Sequence, residues 1–390
     1  MILAAASPLR GITLILVGLM PVLALAGLVP DLPQLFQRFA AEPNRELLVP
    51  MIITVPSLCV ALFSGFAGAI ADRWGRRKLL LVALLAFALL GTMPLLFSSL
   101  RAIIASRVVV GIAEAAILTC GNALLGDYFD EQNRRKWLGY QNMFGALFGS
   151  ATILAGGFLA SWHWRGPFLL YLFGLVVFVL AWLSCPEPER ATVSNATPSA
   201  PASFPWRTVA LVCGVTLSLS LIYYVQAVQH GRIFGDMGVE SPARISILVT
   251  IASMGTIVGG YAFKRFTGAS MQTLLTVSLL AYGLAYVGVA WAPSVKFGLP
   301  LDALGQVGGG IMLPTLIAWS LGKYAFEYRG RGMGLWGGAF FLGAFISPPA
   351  LSLVGKVTPG FLASVGAVGV LCLVLAAVLY LTRKRGVADD

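Results

Sequence analysis

Two opposite charges stand inside one long apolar run, Arg107 and Glu114 in the segment SRVVVGIAEA at residues 106–115. A charge that must sit in hydrocarbon is costly, and by default it marks a functional position facing a polar interior. Arg107, Gly111 and Glu114 are spaced i, i+4 and i+7, which puts them on one face of a helix. A carboxyl in partly dry surroundings beside a cation is poised between its protonated and ionised forms. That is the chemistry needed to couple proton movement to another event. The same residues also read as a plain salt bridge, with Arg107 tethering its helix to polar groups of the first apolar run, and both readings stay open. Asp31, in VPDLP, is a third acid at the edge of a run. It is either a further proton carrier or a cap where flanking prolines end a helix. Asp302 lies near the start of its run and is set aside on that ground.

A second constellation is the polar loop GAIADRWGRRK at residues 68–78. Gly68 permits close helix approach and Gly75 a tight turn. Asp72 is expected to sit against a helix N-terminus of the other half, the eleventh run, where charge and dipole attract. Such a latch would have to break for the protein to open. With Arg73, Arg76, Arg77 and Lys78 the loop also reads as a cluster that fixes topology, but topology alone requires neither the aspartate nor the spaced glycines. The corresponding GYAFKR at 260–265 keeps a glycine and an arginine and lacks the aspartate, so the latch is expected to be asymmetric.

The elements that must hold these residues are set by composition. The 390 residues are 58% hydrophobic and 11% charged, with a mean hydropathy of +0.85, outside the range of soluble domains. About 20 apolar residues in helical form cross a hydrocarbon core of about 30 Å. Twelve such runs are present: Gly11 to Pro30, Leu47 to Ile70, Leu79 to Ser98, Ala102 to Gly126, Leu138 to Ala160, Gly166 to Cys185, Arg207 to His230, Ala243 to Phe263, Gln272 to Ala292, Gly298 to Gly322, Met333 to Val354 and Phe361 to Thr382. The first run is long and no small-residue cleavage site follows it, so it reads as a span and not as a removed leader.

The net charge of +11 does not point to nucleic acid, because of where the basic residues fall. With the N-terminus cytoplasmic, eighteen Lys and Arg fall in cytoplasmic segments and eight on the opposite side, a bias that places both termini inside. The five cysteines are scattered through the spans as small core residues. Two histidines far apart in sequence suggest no metal site, and no phosphate-cradling loop for ATP is present. No cofactor is expected.

Residues 186–206, PEPERATVSNATPSAPASFPW, contain five prolines and form a linker between six spans and six, giving halves 1–185 and 207–390. At an offset of 196 residues, Gly126, Tyr128, Glu131 and Arg135 in GDYFDEQNRR match Gly322, Tyr324, Glu327 and Arg331 in GKYAFEYRGR. Both segments follow the fourth span of their half, which indicates duplication.

The loop at 68–78 resembles the G-x-L-A-D-R-x-G-R-[KR] signature of the major facilitator superfamily, with Ile70 in place of Leu. Arg107 matches the arginine of that family's R-x-x-x-G pattern in the fourth helix, and its spacing to Glu114 is similar to the spinster-like and organic-anion branches. Gly145-x-x-x-Gly149 and Gly156-Gly157 resemble the antiporter signature of the fifth helix, except that Ser150 replaces its proline. The resemblance implies an all-α membrane fold of twelve helices in two pseudo-symmetric halves, in a bacterial inner membrane. It implies a monomeric secondary carrier working by alternating access. The specific expectation is proton-coupled efflux of an amphipathic compound, with Arg107, Glu114 and Asp31 as coupling residues. Gly68, Asp72, Arg73, Gly75, Arg76 and Arg77 would form the gate. Tyr223, Tyr224, Gln226, Gln306 and Trp336 are the polar and aromatic candidates for substrate contact. Uptake or exchange of an organic anion, with Arg107 as clamp, and a non-transporting receptor of the same fold are the rival readings.

Overall fold

The computed structural model describes residues 8–188, 204–266, 268–325 and 328–382, with the side chains of Glu131, Arg135, Asn142 and Met143 also outside the description. Glu327, most of the linker and the basic residues Arg383, Lys384 and Arg385 therefore lie outside the described residues. Among the described residues every regular element is helical. Twelve helices are long and apolar enough to cross a membrane: α1 Pro8–Arg38, α2 Arg45–Trp74, α3 Arg76–Leu95, α4 Leu100–Tyr128, α5 Gln132–Trp162, α6 Gly166–Ser184, α7 Trp206–Asp236, α8 Pro242–Arg265, α9 Met271–Trp291, α10 Val295–Lys323, α11 Arg329–Val354 and α12 Phe361–Thr382. Large apolar side chains such as Leu62, Phe66, Val82, Leu89 and Val109 stand on the outside of these helices. That arrangement suits lipid contact, where backbone groups are satisfied within each helix.

The chain divides into two compact units, Met1–Arg207 and Thr208–Asp390. In the first, α4 packs against α2 and α3, with α1 against α4, α5 and α6. Small residues set these distances. A Cβ at Gly111 would stand 2.6 Å from both Cys59 Cβ and Pro56 Cα of α2, so the two helices close to near backbone contact there. Gly145 and Gly149 of α5 face Leu19 and Val22 of α1. In the second unit, α9 packs on α10 and α12, and α8 on α10. Gly310 of α10 lies against Gly259 of α8, where an added Cβ would come within 3.0 Å of its Cα.

One sequence expectation fails here. The first run was expected to end at Pro30, but α1 continues to Arg38 through a 3₁₀ turn at Val29–Asp31. Its prolines fall in the first turn of successive short segments, Met20–Ala26, Val29–Asp31 and Leu32–Arg38, where the missing N–H has no intrahelical partner to lose. Pro348 and Pro349 do not interrupt α11, which is continuous from Arg329 to Val354. Ser347 beside them donates to the carbonyl of Leu221 at 2.9 Å, which ties this stretch of α11 to α7.

Candidate functional site

In the N-terminal unit, Arg107 is fully buried. Its guanidinium turns toward the end of α3, where Nη2 donates to the carbonyls of Gly91 at 3.0 Å and Leu90 at 3.4 Å. Nε and Nη2 also lie 3.3 and 3.2 Å from the hydroxyl of Ser106. The rings of Phe168 and Tyr171, from α6, sit 5.2 and 5.0 Å from Cζ. A helix C-terminus is the negative end of its dipole, so this is a natural seat for a cation, and the aromatic faces add cation–π attraction. The tether anticipated from sequence exists, but its partners are α3 and α6 and not α1. Nη1 has no hydrogen-bond partner.

Glu114 is 3% exposed, and its Oε2 has no hydrogen-bond partner. Among the described residues it makes no ion pair with Arg107, so the plain salt bridge is not formed. The two still lie within electrostatic range of one another, as do Glu114 and Cys59. Asp31 is completely buried, and neither carboxylate oxygen has a partner. The capping reading fails for it. The helix does not exit at Asp31, and the side chain makes no cap hydrogen bond to the segment Leu32–Arg38.

The charged loop joins α2 to α3 through Gly75, at φ 103° and ψ 137°, a conformation open to glycine and strained for other residues. Arg76 bridges two carboxylates, Asp72 at 3.2 Å and Asp127 of α4 at 2.6 Å. The Glu187 carboxylate accepts the backbone N–H groups of Arg77 and Lys78, each at 3.4 Å, placing a negative charge at the N-terminus of α3. Arg77 also donates to the carbonyl of Trp182 at 2.9 Å, and the Tyr128 hydroxyl donates to the carbonyl of Pro186. The first residues of the linker are therefore part of the N-terminal unit. Among the described residues, the side chain nearest to where a Cβ of Gly68 would be is Thr119, at 3.7 Å. Asp127 and Glu187 were not singled out from sequence, since each reads there as an ordinary surface acid.

The C-terminal unit separates the five proposed substrate contacts into two groups. Tyr223, Tyr224 and Trp336 gather around Phe340, with ring centroids 5.4, 5.1 and 5.5 Å from it. The indole N–H of Trp336 is buried without a partner. Gln226 and Gln306 instead belong to a polar cluster. Nε2 of Gln226 donates to the backbone carbonyl of Asp302 at 2.7 Å and to its Oδ1 at 2.8 Å. Asp302 Oδ2 pairs with Nε2 of His230. Gln306 Nε2 lies 3.4 Å from the other ring nitrogen of His230, and Gln306 Oε1 accepts from Thr256 of α8 at 2.8 Å. Asp302, set aside for its position near the start of its run, is 1% exposed and His230 is 3% exposed. Distance from the run's end was a poor guide, because α10 begins at Val295 and Asp302 already faces its neighbours.

Among the described residues no group of His, Cys, Asp and Glu is placed to hold a metal ion, and all five cysteines are free.

Comparison with known proteins gives this architecture a family. The model of the Major Facilitator Superfamily matches residues 14–304. The bacillibactin exporter of Bacillus subtilis (strain 168) is 24% identical over 344 residues, covering 83% of this chain and 84% of that one. The quinolone resistance protein NorA of Staphylococcus aureus (strain MSSA476) is 23% identical over 244 residues, 60% of this chain and 61% of its own. In fold, the D-xylose-proton symporter superposes with a TM-score of 0.78 at 16% identity, over 95% of this chain and 96% of that one. A bacterial homolog of the human lysosomal transporter Spinster gives 0.73 at 17%, over 96% of each. The chain belongs to the Major Facilitator Superfamily and is a multi-pass membrane transporter of that family.

Proposed function

We propose that the protein is a proton-coupled secondary carrier that expels an amphipathic organic compound across a bacterial inner membrane by alternating access, with both termini cytoplasmic. The observation that carries this reading is the state of Glu114 and Asp31. Both are buried carboxyls in apolar helices, and both have oxygens without a hydrogen-bond partner. A carboxyl in that setting is tolerated most readily when it can be neutralised by a proton. Glu114 is the leading proton carrier, and Arg107 fixes the helix that bears it. The rings around Phe340, with the unsatisfied indole N–H of Trp336, suit the flat, partly apolar surface of an organic substrate. The names of two relatives, an exporter and a drug-resistance protein, support efflux over uptake.

Exchange of an organic anion is the second reading, favoured by the unpartnered Nη1 of Arg107. The deciding experiment reconstitutes the protein in liposomes and imposes a pH gradient with three probes: ethidium, norfloxacin and a catechol carboxylate. Saturable, gradient-driven movement of ethidium or norfloxacin supports proton-coupled efflux. Movement of the carboxylate alone favours the anion reading, and flux of any probe that ignores the gradient removes proton coupling.

A further inference from the structure

The polar cluster of the C-terminal unit is unused by the mechanism just proposed. Its central pair, His230 and Asp302, lies on two different helices about two turns, or roughly 10 Å, inside the helix ends at Asp236 and Val295. The groups that face the Asp302 carboxylate and the His230 ring can each be assigned as donor or acceptor. The two N–H groups of the Gln226 amide occupy the backbone carbonyl and Oδ1 of Asp302, so Asp302 is an acceptor at both. Oδ2 faces Nε2 of the imidazole. The Gln306 amide presents Nε2 to His230 Nδ1 and Oε1 to the Thr256 hydroxyl. With Gln306 donating, Nδ1 must be an acceptor, which makes the ring neutral and its proton sit on Nε2. In this state the pair carries one net negative charge.

A single rearrangement accommodates a second proton. If the Gln306 amide turns by half a revolution, its Oε1 faces Nδ1 and its NH₂ faces Thr256. The hydroxyl then accepts, and its own hydrogen turns to a carbonyl of the preceding helical turn, a bond that threonine makes readily in helices. A proton delivered from water to Nδ1 completes an imidazolium that donates to Oδ2 of Asp302 and Oε1 of Gln306. The site moves from one negative charge to none, and release of the proton reverses each step. No backbone bond is broken in either direction.

The surroundings leave this pair to balance itself. On α7, Arg232 stacks on the ring of Phe361, 4.1 Å from its centroid, and Asp236 is exposed. Arg244 of α8 and Lys296 of α10 are exposed. Tyr223 of α7 and Tyr282 and Tyr286 of α9 contribute phenols, and Tyr286 donates to the carbonyl of Ile222 at 2.8 Å. Among the described residues the sole ion-pairing partner of Asp302 is His230. A buried acid and base that depend on each other, with Gln306 able to reverse its hydrogen bond to the imidazole, form a site that exchanges a proton at low structural cost.

We propose that the His230–Asp302 pair is a second proton-binding site of the carrier, in the C-terminal unit, with Gln306 and Thr256 as a reversible relay that accepts both charge states of the imidazole. The role in coupling rests on the carrier reading above, and the test separates the two. The chain has two histidines, so full-length protein labelled with ¹⁵N-histidine in nanodiscs gives two ring systems, and His163→Gln assigns them. As the pH is lowered, the His230 ring should pass from the Nε2–H tautomer to the imidazolium. The imidazolium signal should be lost in Asp302→Asn. A ring that stays in one neutral tautomer throughout, or an imidazolium untouched by Asp302→Asn, overturns the site whatever the protein transports.

The second arm follows ethidium in liposomes for wild type, Asp302→Asn and His230→Gln. Gradient-driven accumulation should fall about tenfold or more in both variants, with counterflow at equal pH kept within about twofold. Full gradient-driven accumulation in both removes the coupling role. A titrating His230 in a protein that moves no probe leaves the site standing and sinks the carrier reading instead.

Discussion

Arg107 and Glu114 share α4, two turns apart, and make no ion pair with one another. The guanidinium is occupied by the carbonyls of Leu90 and Gly91, and the carboxyl keeps an unpartnered oxygen. The two residues are therefore separate in structure, a cation anchored to a helix end and a buried carboxyl with an unpartnered oxygen.

If Glu114 carries the proton, Glu114→Gln is a permanent copy of its protonated form. The variant should fold, bind substrate and exchange it across the membrane, because exchange moves no net proton. Gradient-driven accumulation in liposomes should fall about tenfold or more. Full concentrative transport by this variant would move the proton role to Asp31 or to the C-terminal pair.

The charged loop yields a prediction with a structural and a functional part. Gly75 holds φ at 103°, and a Cβ there would stand 2.7 Å from the Glu187 carboxylate. Gly75→Ala should therefore cost about 1–3 kcal/mol and lower the thermal midpoint of the purified protein. Asp72, with 68% of its side chain exposed, can be changed to Asn with little loss of stability. If its charge acts as a latch, Asp72→Asn slows transport at normal expression, and unchanged turnover would confine the loop to topology.

At the start of α5, outside the membrane-spanning segments, Asp130 accepts from the backbone N–H of Asn133 at 2.8 Å and from its side-chain amide at 3.0 Å. The backbone bond, and then the side-chain bond, hold its carboxyl below the usual value of 3.8. A depressed carboxylate stabilises the fold above its unfolded value, and that contribution is lost as pH falls through the folded one. Hydrogen exchange in the first turn of α5 should thus be faster in Asp130→Ala than in wild type at neutral pH. The difference should shrink below about pH 4 and vanish once the wild-type carboxyl is protonated. Equal exchange at neutral pH would show that the cap contributes nothing.

The sequence made the twelve spans readable because a hydrocarbon solvent imposes one rule on every stretch of backbone. It made the charged loop readable because Gly75 and Asp72 stand at fixed spacing between two spans. Position along a run proved a weaker guide. Pro30 and Pro33 look like a helix exit until it is seen that prolines at first-turn positions let α1 continue, carrying Asp31 into the interior. Asp302 looks peripheral until Gln226 and His230, more than seventy residues earlier, close around it. Glu187 lies in a proline-rich segment and has no local signal for its bonds to Arg77 and Lys78. Contacts between distant segments depend on how helices pack, and no single run encodes that.

The last prediction separates charge from shape at Arg107. A lysine keeps the positive charge but loses the planar fork that reaches Gly91, Leu90 and Ser106 together, and it stacks less well between Phe168 and Tyr171. Were Arg107 needed only as a cation near Glu114, Arg107→Lys would keep most gradient-driven transport and most stability. The geometry favours the opposite outcome, since the guanidinium's bonds to the Leu90 and Gly91 carbonyls hold α4 to the end of α3 and its ring contacts hold α4 to α6. Arg107→Lys should lower the thermal midpoint by several degrees, on the scale of losing hydrogen bonds to a buried charged group. Exchange and gradient-driven transport should fall together, unlike the split expected for Glu114→Gln. Thermal denaturation of purified protein and paired liposome assays distinguish the outcomes. A stable lysine variant with normal exchange would show that α3, α4 and α6 hold together without the fork, and would return Arg107 to a purely electrostatic role.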